Sequence, residues 1–162
     1  MTKWAYDEDR TYHGVRDPET DKTRIEAERA EFGPTQRKGV IVLRLIRPVG
    51  ILKESALEWG YRGTGPLATA SAILADALGQ EPSAQLLEAF RTDVVSQLTD
   101  DEWRLRRGAV LRWVRGWCAE HNIDVLPAAV AELPPIDPSD YGKLPEALKK
   151  ERHFRIYGKP RQ

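Results

Sequence analysis

Residues 59–66, WGYRGTGP, have the composition of a small anion site. They lead into an alanine- and leucine-rich segment that is typical of a helix. Backbone N–H groups at a helix start lack partners within the helix and lie at the positive end of its dipole, so such a loop can bind a phosphate or carboxylate. The residues that would contact the ligand are Tyr61, Arg62, Gly63, Thr64, Gly65 and Thr69.

The same glycines also have a structural interpretation. Gly63 and Gly65 could take positive φ angles, Pro66 could preset the first helical turn, and the Trp59 and Tyr61 rings could pack beneath them. The spacing matches neither the dinucleotide fingerprint G-x-G-x-x-G nor the P-loop. A tight corner is therefore the favoured interpretation, and Arg62, with its bidentate donors, is the residue that argues for a ligand.

A nucleic-acid interface is the second possibility. Arginines cluster in WRLRRGAVLRWVRGW, and the C-terminal KKERHFRIYGKPRQ is basic and aromatic, so cations could contact phosphates while rings stack on bases. The arginines concerned are Arg104, Arg107, Arg112 and Arg115. They could equally form the solvated face of an amphipathic helix, and the formal net charge of +0 argues against a dedicated DNA-binding protein.

An enzymatic reaction would need an activated group, and the sequence offers few. His13, His121 and His153 are far apart and lack the spacing of metal ligands, so we predict no metal and no cofactor. Cys118 lies on the apolar face of a predicted helix, where a buried, inert thiol is expected. An enzyme that uses His13 as an acid or base stays a third alternative, if the fold brings His13 to the glycine loop.

The predicted strands point to a small antiparallel sheet. β-branched residues predict a strand at residues 39–47, and a second strand is predicted at 11–16. Residues 51–59 form either a third strand or a short helical turn. Residues 19–38 are mostly charged and predict a polar helical turn or a mobile surface insertion that Gly33 and Pro34 end.

Three helices are predicted after the glycine loop. The first has Pro66 at its first position and Gly79 just past its end, and it pairs as a hairpin with a second helix over residues 82–98. The sequence T-D-D-E at 99–102 has the form of a capping box, which predicts a helical turn that breaks near 105–108. A third helix follows and ends at His121.

These elements predict an α+β domain over residues 11–121, in which two or three strands pack against three helices. Residues 1–10 are expected to fray. Residues 122–162 are rich in proline and basic, which predicts an extended or partly disordered arm.

The W-G-Y-x-G-T-G-P loop with its alanine-rich helix, and a Trp-centred third segment further on, resembles domain-of-unknown-function family 6166. Tyr12-His13-Gly14 matches the Tyr-x-Gly near the start of that family, and the resemblance spans roughly residues 11–118. Leu57 and Arg62 stand where the family has phenylalanine and glycine. The resemblance implies a small bacterial or phage domain with no assigned reaction, and an accessory role such as inhibiting a host protein or self-association.

Composition limits the remaining choices. The 162 residues suit one domain, and the 25 basic and 25 acidic residues leave no global field for nucleic acid or membranes. No apolar run reaches the ~18 residues of a membrane span, the N-terminus lacks a signal-peptide core, and a lone cysteine suits the cytoplasm. We therefore expect a cytoplasmic, non-enzymatic binding module without a cofactor. Its partner would be another protein, a second copy, or a small anion at the glycine loop, with nucleic acid as the alternative.

Overall fold

A β-sheet and a layer of helices make up the residues that the computed structural model describes, which are 10–32, 37–135 and 157–159. The strands are β1 (Arg10–Arg16), β2 (Thr23–Phe32), β3 (Arg37–Leu45), β4 (Glu102–Arg106) and β5 (Tyr157–Lys159). The helices are α1 (Thr64–Leu78), α2 (Ala84–Asp93), α3 (Arg107–Glu120) and α4 (Ala128–Ala131). The five described strands form one antiparallel sheet in the order β3-β2-β1-β4-β5. The predicted α+β class is confirmed, with more strands than the two or three expected.

The two faces of the sheet differ in chemistry because strand side chains alternate. One face is apolar and packs on the helices; its fully buried residues include Tyr12, Ile25, Ala27, Trp103 and Leu105. The opposite face, here called the polar face, carries His13, Glu26, Glu28, Glu102 and Arg104. The strand register therefore places ionisable side chains from three neighbouring strands side by side.

Strand β2 corrects the sequence-based prediction for residues 19–38, which is wrong. The segment pairs with β1 on one side and β3 on the other instead of forming a helical turn or an insertion. Its glutamates, arginines and alanines favour a helix locally, but burial of Ile25 and Ala27 on alternate positions decides the outcome. Gly33 and Pro34, predicted to end the segment, lie outside the described residues.

Strand β4 corrects the prediction of a capping box at residues 99–102. Glu102 begins a strand rather than a helical turn, and Trp103 and Leu105 alternate with polar neighbours along it. This alternation is the period of a half-buried strand. The strand continues directly into α3, which begins at Arg107.

The predicted helices are present with shifted ends. Helix α1 begins at Thr64, so Pro66 lies inside its first turn rather than at its start, and Gly79 caps its C-terminus with a φ of 71°. Helix α2 ends at Asp93 and is followed by a 3-10 turn, Val95–Gln97. Residues 51–59 contain no strand, and a 3-10 turn at Gly50–Leu52 overlaps their start, so the helical turn is the alternative that is confirmed.

Two tryptophan contacts organise the core beneath the sheet. Trp59 and Trp103 meet edge to face with ring centroids 5.3 Å apart, and Phe90 meets Trp113 in the same way at 5.2 Å. Four of the five alanines of α1 are buried, and the helix shares one hydrophobic core with the apolar face of the sheet. None of the described helices is both long and apolar enough to cross a membrane.

The structure describes part of the chain outside the predicted domain of residues 11–121. Residues 1–9 and 136–156 lie outside the described residues, and so does His153. Within the predicted arm the structure describes the short helix α4 and the strand β5, which pairs with β4. At the other edge of the sheet, β3 exposes apolar side chains, among them Val42 and Leu45 at 49% each.

Candidate functional site

The glycine loop is a tight corner held by backbone contacts. Gly60 has a φ of 90°, and its N–H donates to the carbonyl of Val95 at 3.1 Å. Gly63 is extended, with a φ of −178°, and Gly65 lies within α1. The positive φ expected at Gly63 and Gly65 is therefore wrong, and the position that requires glycine is Gly60.

Trp59 anchors this corner to the sheet. Its Nε1 donates to the carbonyl of Asp100 at 2.8 Å, and the Arg16 guanidinium lies 5.2 Å from the centre of its ring. The ring itself is 1% exposed. The loop thus joins the start of α1 to the segment that precedes β4.

A carboxylate of the chain already lies at the start of α1. A Cβ placed on Gly65 would be 2.9 Å from Oε2 of Glu58, so the Glu58 side chain covers the first turn. The Tyr61 hydroxyl donates to the same carboxylate, which raises the pKa of Tyr61. An anion arriving here would meet the Glu58 charge at the end of the helix that attracts anions.

The residues predicted to bind a ligand at this loop are not all accessible. Tyr61, Arg62 and Thr64 are exposed, whereas Gly63 and Gly65 are half-buried. Thr69 is fully buried inside α1, so a ligand in solvent cannot reach its hydroxyl. The loop therefore presents one guanidinium and one accessible aliphatic hydroxyl beside a carboxylate.

The arginines of the nucleic-acid alternative do not share a face. Arg104 lies on β4 in ion pairs with Glu28 and Glu102, and Arg107 is buried, with Nε donating to the carbonyl of Ala77 at 3.0 Å. Arg112 is half-buried on α3. Arg115 donates to the carbonyl of Pro134 at 2.8 Å. These groups are used within the fold and form no continuous basic surface.

A different group of charged residues converges on Asp76 of α1. The Tyr12 hydroxyl and the Arg10 guanidinium donate to Oδ2 at 2.8 and 2.9 Å, and Arg44 donates to Oδ1 from Nε at 2.8 Å. Tyr12, Ala27 and Arg44 lie side by side across β1, β2 and β3. The small Ala27 side chain leaves room for its two neighbours to meet over it.

The hydrogen bonds fix the ionisation of this group. Burial opposes ionisation of Asp76, but hydrogen bonds from Arg44 and Tyr12 and the charges of Arg10 and Arg44 outweigh it, so the pKa of Asp76 is lowered. Burial and the Asp76 charge raise the pKa of Tyr12 well above its usual range. Tyr12 is therefore a permanent donor and Asp76 a permanent anion near neutral pH.

Acid is expected to remove the contribution of Asp76 to stability. Because the folded pKa lies below the usual value of 3.8, this contribution is present above that value and is lost as pH falls through the folded pKa. We expect Asp76→Asn to lower the urea midpoint of unfolding at about pH 7. At about pH 2 to 3 the midpoints of the variant and of wild type should lie closer together. A gap of equal size at both pH values would contradict the assignment. Glu88→Gln, at an exposed position of α2, is the control.

A cavity of about 560 Å³ opens beside Asp76. We call it the arginine cavity; its charged lining residues are Arg10, Arg44, Asp76, Arg107 and Glu132. The arginines come from β1, β3 and α3, and the end of α1 and the start of α4 complete the wall. This cavity was not predicted from the sequence. Arg44 lies in a predicted strand and Arg10 lies next to one, but Asp76 is far from both in the chain.

His13 lies in a second cluster, on the polar face. Its Nδ1 donates to Oε2 of Glu28 at 2.8 Å and lies 3.9 Å from Oε2 of Glu26, while its Nε2 is 3.6 Å from Oε2 of Glu102. His13 and Glu28 are 9% and 3% exposed. The fold does not bring His13 to the glycine loop, because His13 lies on the face of β1 opposite Trp103 and Trp59.

Cys118 is buried in the core, as predicted. Burial raises the pKa of its thiol, which keeps it protonated and poorly nucleophilic. His121 stacks on Trp117 with ring centroids 4.4 Å apart, and its Nδ1 is hydrogen-bonded to the Trp117 carbonyl oxygen. Neither side chain belongs to either cluster.

The fold and these sites define a small α+β domain in which a glycine corner leads into a helix that packs on an antiparallel sheet. Residues 12–116 match the model of a family of unknown function, DUF6166, and the chain belongs to this family. The resemblance seen in the sequence is thereby confirmed. Comparison with curated proteins gave no match, and comparison with solved structures gave none either.

Proposed function

We propose that the protein is a non-enzymatic binding module that holds a small phosphate- or carboxylate-bearing molecule in the arginine cavity. The observation that carries the proposal is the convergence of three guanidinium groups, from Arg10, Arg44 and Arg107, on one cavity of about 560 Å³. Sites for small molecules commonly have volumes of about 300 to 1,000 Å³. The glycine loop, which the sequence offered as an anion site beside the favoured interpretation of a tight corner, is supported less well because Glu58 lies there.

The charges around the cavity favour an anion. Three guanidinium groups face two carboxylates, those of Asp76 and Glu132, among the described lining residues. The negative end of the α1 dipole also points here, but Arg107 donates to the Ala77 carbonyl at that end and offsets it. A net positive lining results.

Asp76 indicates what these donors bind. Its carboxylate is held by two guanidinium groups and a phenol, which is a donor set that suits an oxyanion. The Arg44 side chain is 48% exposed, so it can turn from Asp76 towards a ligand oxygen while Arg10 and Tyr12 still hold the aspartate. A ligand would then compete with Asp76 for Arg44.

This competition gives a specific prediction for ligand binding. Inorganic phosphate, citrate and a nucleoside monophosphate are titrated by calorimetry into wild type and variants. We expect Arg44→Ala to weaken binding at least about tenfold and Asp76→Asn to tighten it several-fold, because the competing charge is removed. Arg62→Ala, which removes the exposed guanidinium of the glycine loop, is the matched control and should leave binding unchanged.

Two outcomes would contradict the proposal. Binding that is lost in Arg62→Ala and kept in Arg44→Ala would show that the anion binds at the glycine loop and not in the arginine cavity. No saturable binding of any of the probes would remove the anion function altogether.

A bacterial or phage accessory role in the cytoplasm belongs to the same proposal. The first part rests on what the resemblance seen in the sequence implies, and the single, buried cysteine supports a reducing compartment. A protein partner or a second copy stays a proposal as well, supported by the apolar side chains that β3 exposes at the edge of the sheet.

A further inference from the structure

We propose that His13, Glu26 and Glu28 form a binding site for a divalent transition-metal ion on the polar face of the sheet. One ligand atom from each, the His13 Nδ1 and a carboxylate oxygen from each glutamate, lies within 4.8 Å of the others. The donors come from two strands, β1 and β2, so the group does not have the sequence spacing of a known metal-binding motif. The site is independent of the arginine cavity, which lies on the other face of the sheet.

The distances suit a metal ion after small movements. Ligand atoms each about 2.1 Å from Zn²⁺ cannot be more than about 4.2 Å apart. The His13 Nδ1 lies 2.8 Å from Glu28 Oε2 and 3.9 Å from Glu26 Oε2, so both pairs already satisfy this limit. Only the separation of the two carboxylate oxygens could exceed it, and by less than about 1 Å.

Arginines hold each carboxylate so that one oxygen faces the histidine. Glu26 accepts from Arg24 through Oε1 at 2.9 Å, and Oε1 of Glu28 lies 3.5 Å from Nε of Arg104. The Oε2 atoms of both glutamates remain directed at His13 Nδ1. Partners that orient the ligating groups in this way are typical of metal sites in proteins.

The second nitrogen of His13 supplies an independent observation. Nε2 is buried and makes no hydrogen bond to the described residues, which is costly for a polar atom. A metal ion on Nδ1 would place the ring proton on Nε2, which could donate it to Oε2 of Glu102, now 3.6 Å away, after a movement of about half an ångström. Metal-bound histidines commonly donate their other N–H to a carboxylate. A bound ion would therefore give each ring nitrogen of His13 a partner, the ion for Nδ1 and the Glu102 carboxylate for Nε2.

The balance of charge favours a cation. Three carboxylates, Glu26, Glu28 and Glu102, surround the His13 ring, and the guanidinium groups of Arg24 and Arg104 neutralise two of them. An imidazole with two carboxylates suits Zn²⁺ and similar first-row ions, whereas Ca²⁺ requires six or more oxygen ligands. We therefore expect Zn²⁺ and Co²⁺ to bind and Ca²⁺ not to bind.

The test is a titration of the full chain, freed of metal, with Zn²⁺ by calorimetry and with Co²⁺ by visible absorbance. We expect one saturable site. His13→Gln, Glu28→Gln and Glu26→Gln should each weaken binding by about 100-fold or more, and Glu102→Gln by about tenfold. His121→Gln is the matched histidine control, because His121 stacks on Trp117 away from this cluster, and it should bind as wild type does.

Several results would overturn the site. One is the absence of saturable binding, and another is binding that survives in Glu26→Gln and is lost in His121→Gln. If the cluster is only a set of ion pairs, the glutamate variants will lower the melting temperature equally with and without Zn²⁺, which also counts against the site. Should Glu28→Gln not fold, Glu26→Gln decides, because Glu26 is the more exposed of the two.

Discussion

Replacing Gly14 with alanine is expected to lower the free energy of unfolding by about 3 kcal/mol, at the upper end of overpacking costs. A Cβ at this position would lie 2.2 to 2.6 Å from three atoms of the Trp103 indole ring. That ring is 1% exposed and packs edge to face on Trp59, so it cannot move aside cheaply. The loss is a large part of a typical total stability of about 5 to 15 kcal/mol.

Urea denaturation of Gly14→Ala measures this loss. Gly79→Ala is the matched control, because its added methyl would meet nothing within 4 Å and its cost is limited to the positive φ of 71°. In a Trp103→Leu background the cost of Gly14→Ala should shrink, since the crowded ring atoms are gone. Equal costs at Gly14 and Gly79 would contradict the close packing described for the sheet.

Gly60→Ala is expected to cost about 2 to 3 kcal/mol, because two penalties add. The residue has a φ of 90°, which L-residues avoid, and its Cβ would lie 3.0 Å from the carbonyl oxygen of Leu98. A backbone atom cannot rotate away as a side chain can. The corner that leads into α1 would therefore be strained.

Gly63→Ala separates this explanation from a general sensitivity of the loop. Gly63 is extended, and the atoms nearest to its added Cβ would belong to the ring of the exposed Tyr61, which can move. We expect a loss below about 1 kcal/mol for this variant in the same urea experiment. A larger loss of stability in Gly63→Ala than in Gly60→Ala would contradict the conclusion that Gly60 is the position of the loop that requires glycine.

The sequence predicted well those elements in which local and tertiary preferences agree. The alanine-rich α1 is the clearest example, because its composition and its burial indicate the same structure. Strand β3 was predicted from its β-branched run alone, since its apolar side chains are exposed. Strand β2 was missed because its composition favours a helix, while its pairing with β1 and β3 is invisible in a local window. Strand β4 was missed because residues 99–102 have the form of a capping box, which predicts a helix. The alternation of the buried Trp103 and Leu105 with polar residues, which predicts a strand, begins directly after it.

The candidate sites were harder to predict than the fold. Asp76 and Tyr12 are 64 positions apart, and Arg104 and Glu28 are 76 apart, so only the sheet register and the helix packing bring them together. One usable signal existed. Glu26 and Glu28 alternate with the buried Ile25 and Ala27, so recognition of β2 as a strand would have placed both carboxylates on one face.

The binding of an anion in the arginine cavity is tested most directly by a ¹H–¹⁵N NMR titration of the full chain with inorganic phosphate and with citrate. We expect saturable shifts at the Arg44 side chain and at the amides of the helix residues that line the cavity, which are Ala75, Asp76, Leu78, Gly79, Ala128, Ala129 and Glu132. Shifts confined to residues 60–65, or no saturable shifts at all, would contradict the proposed function.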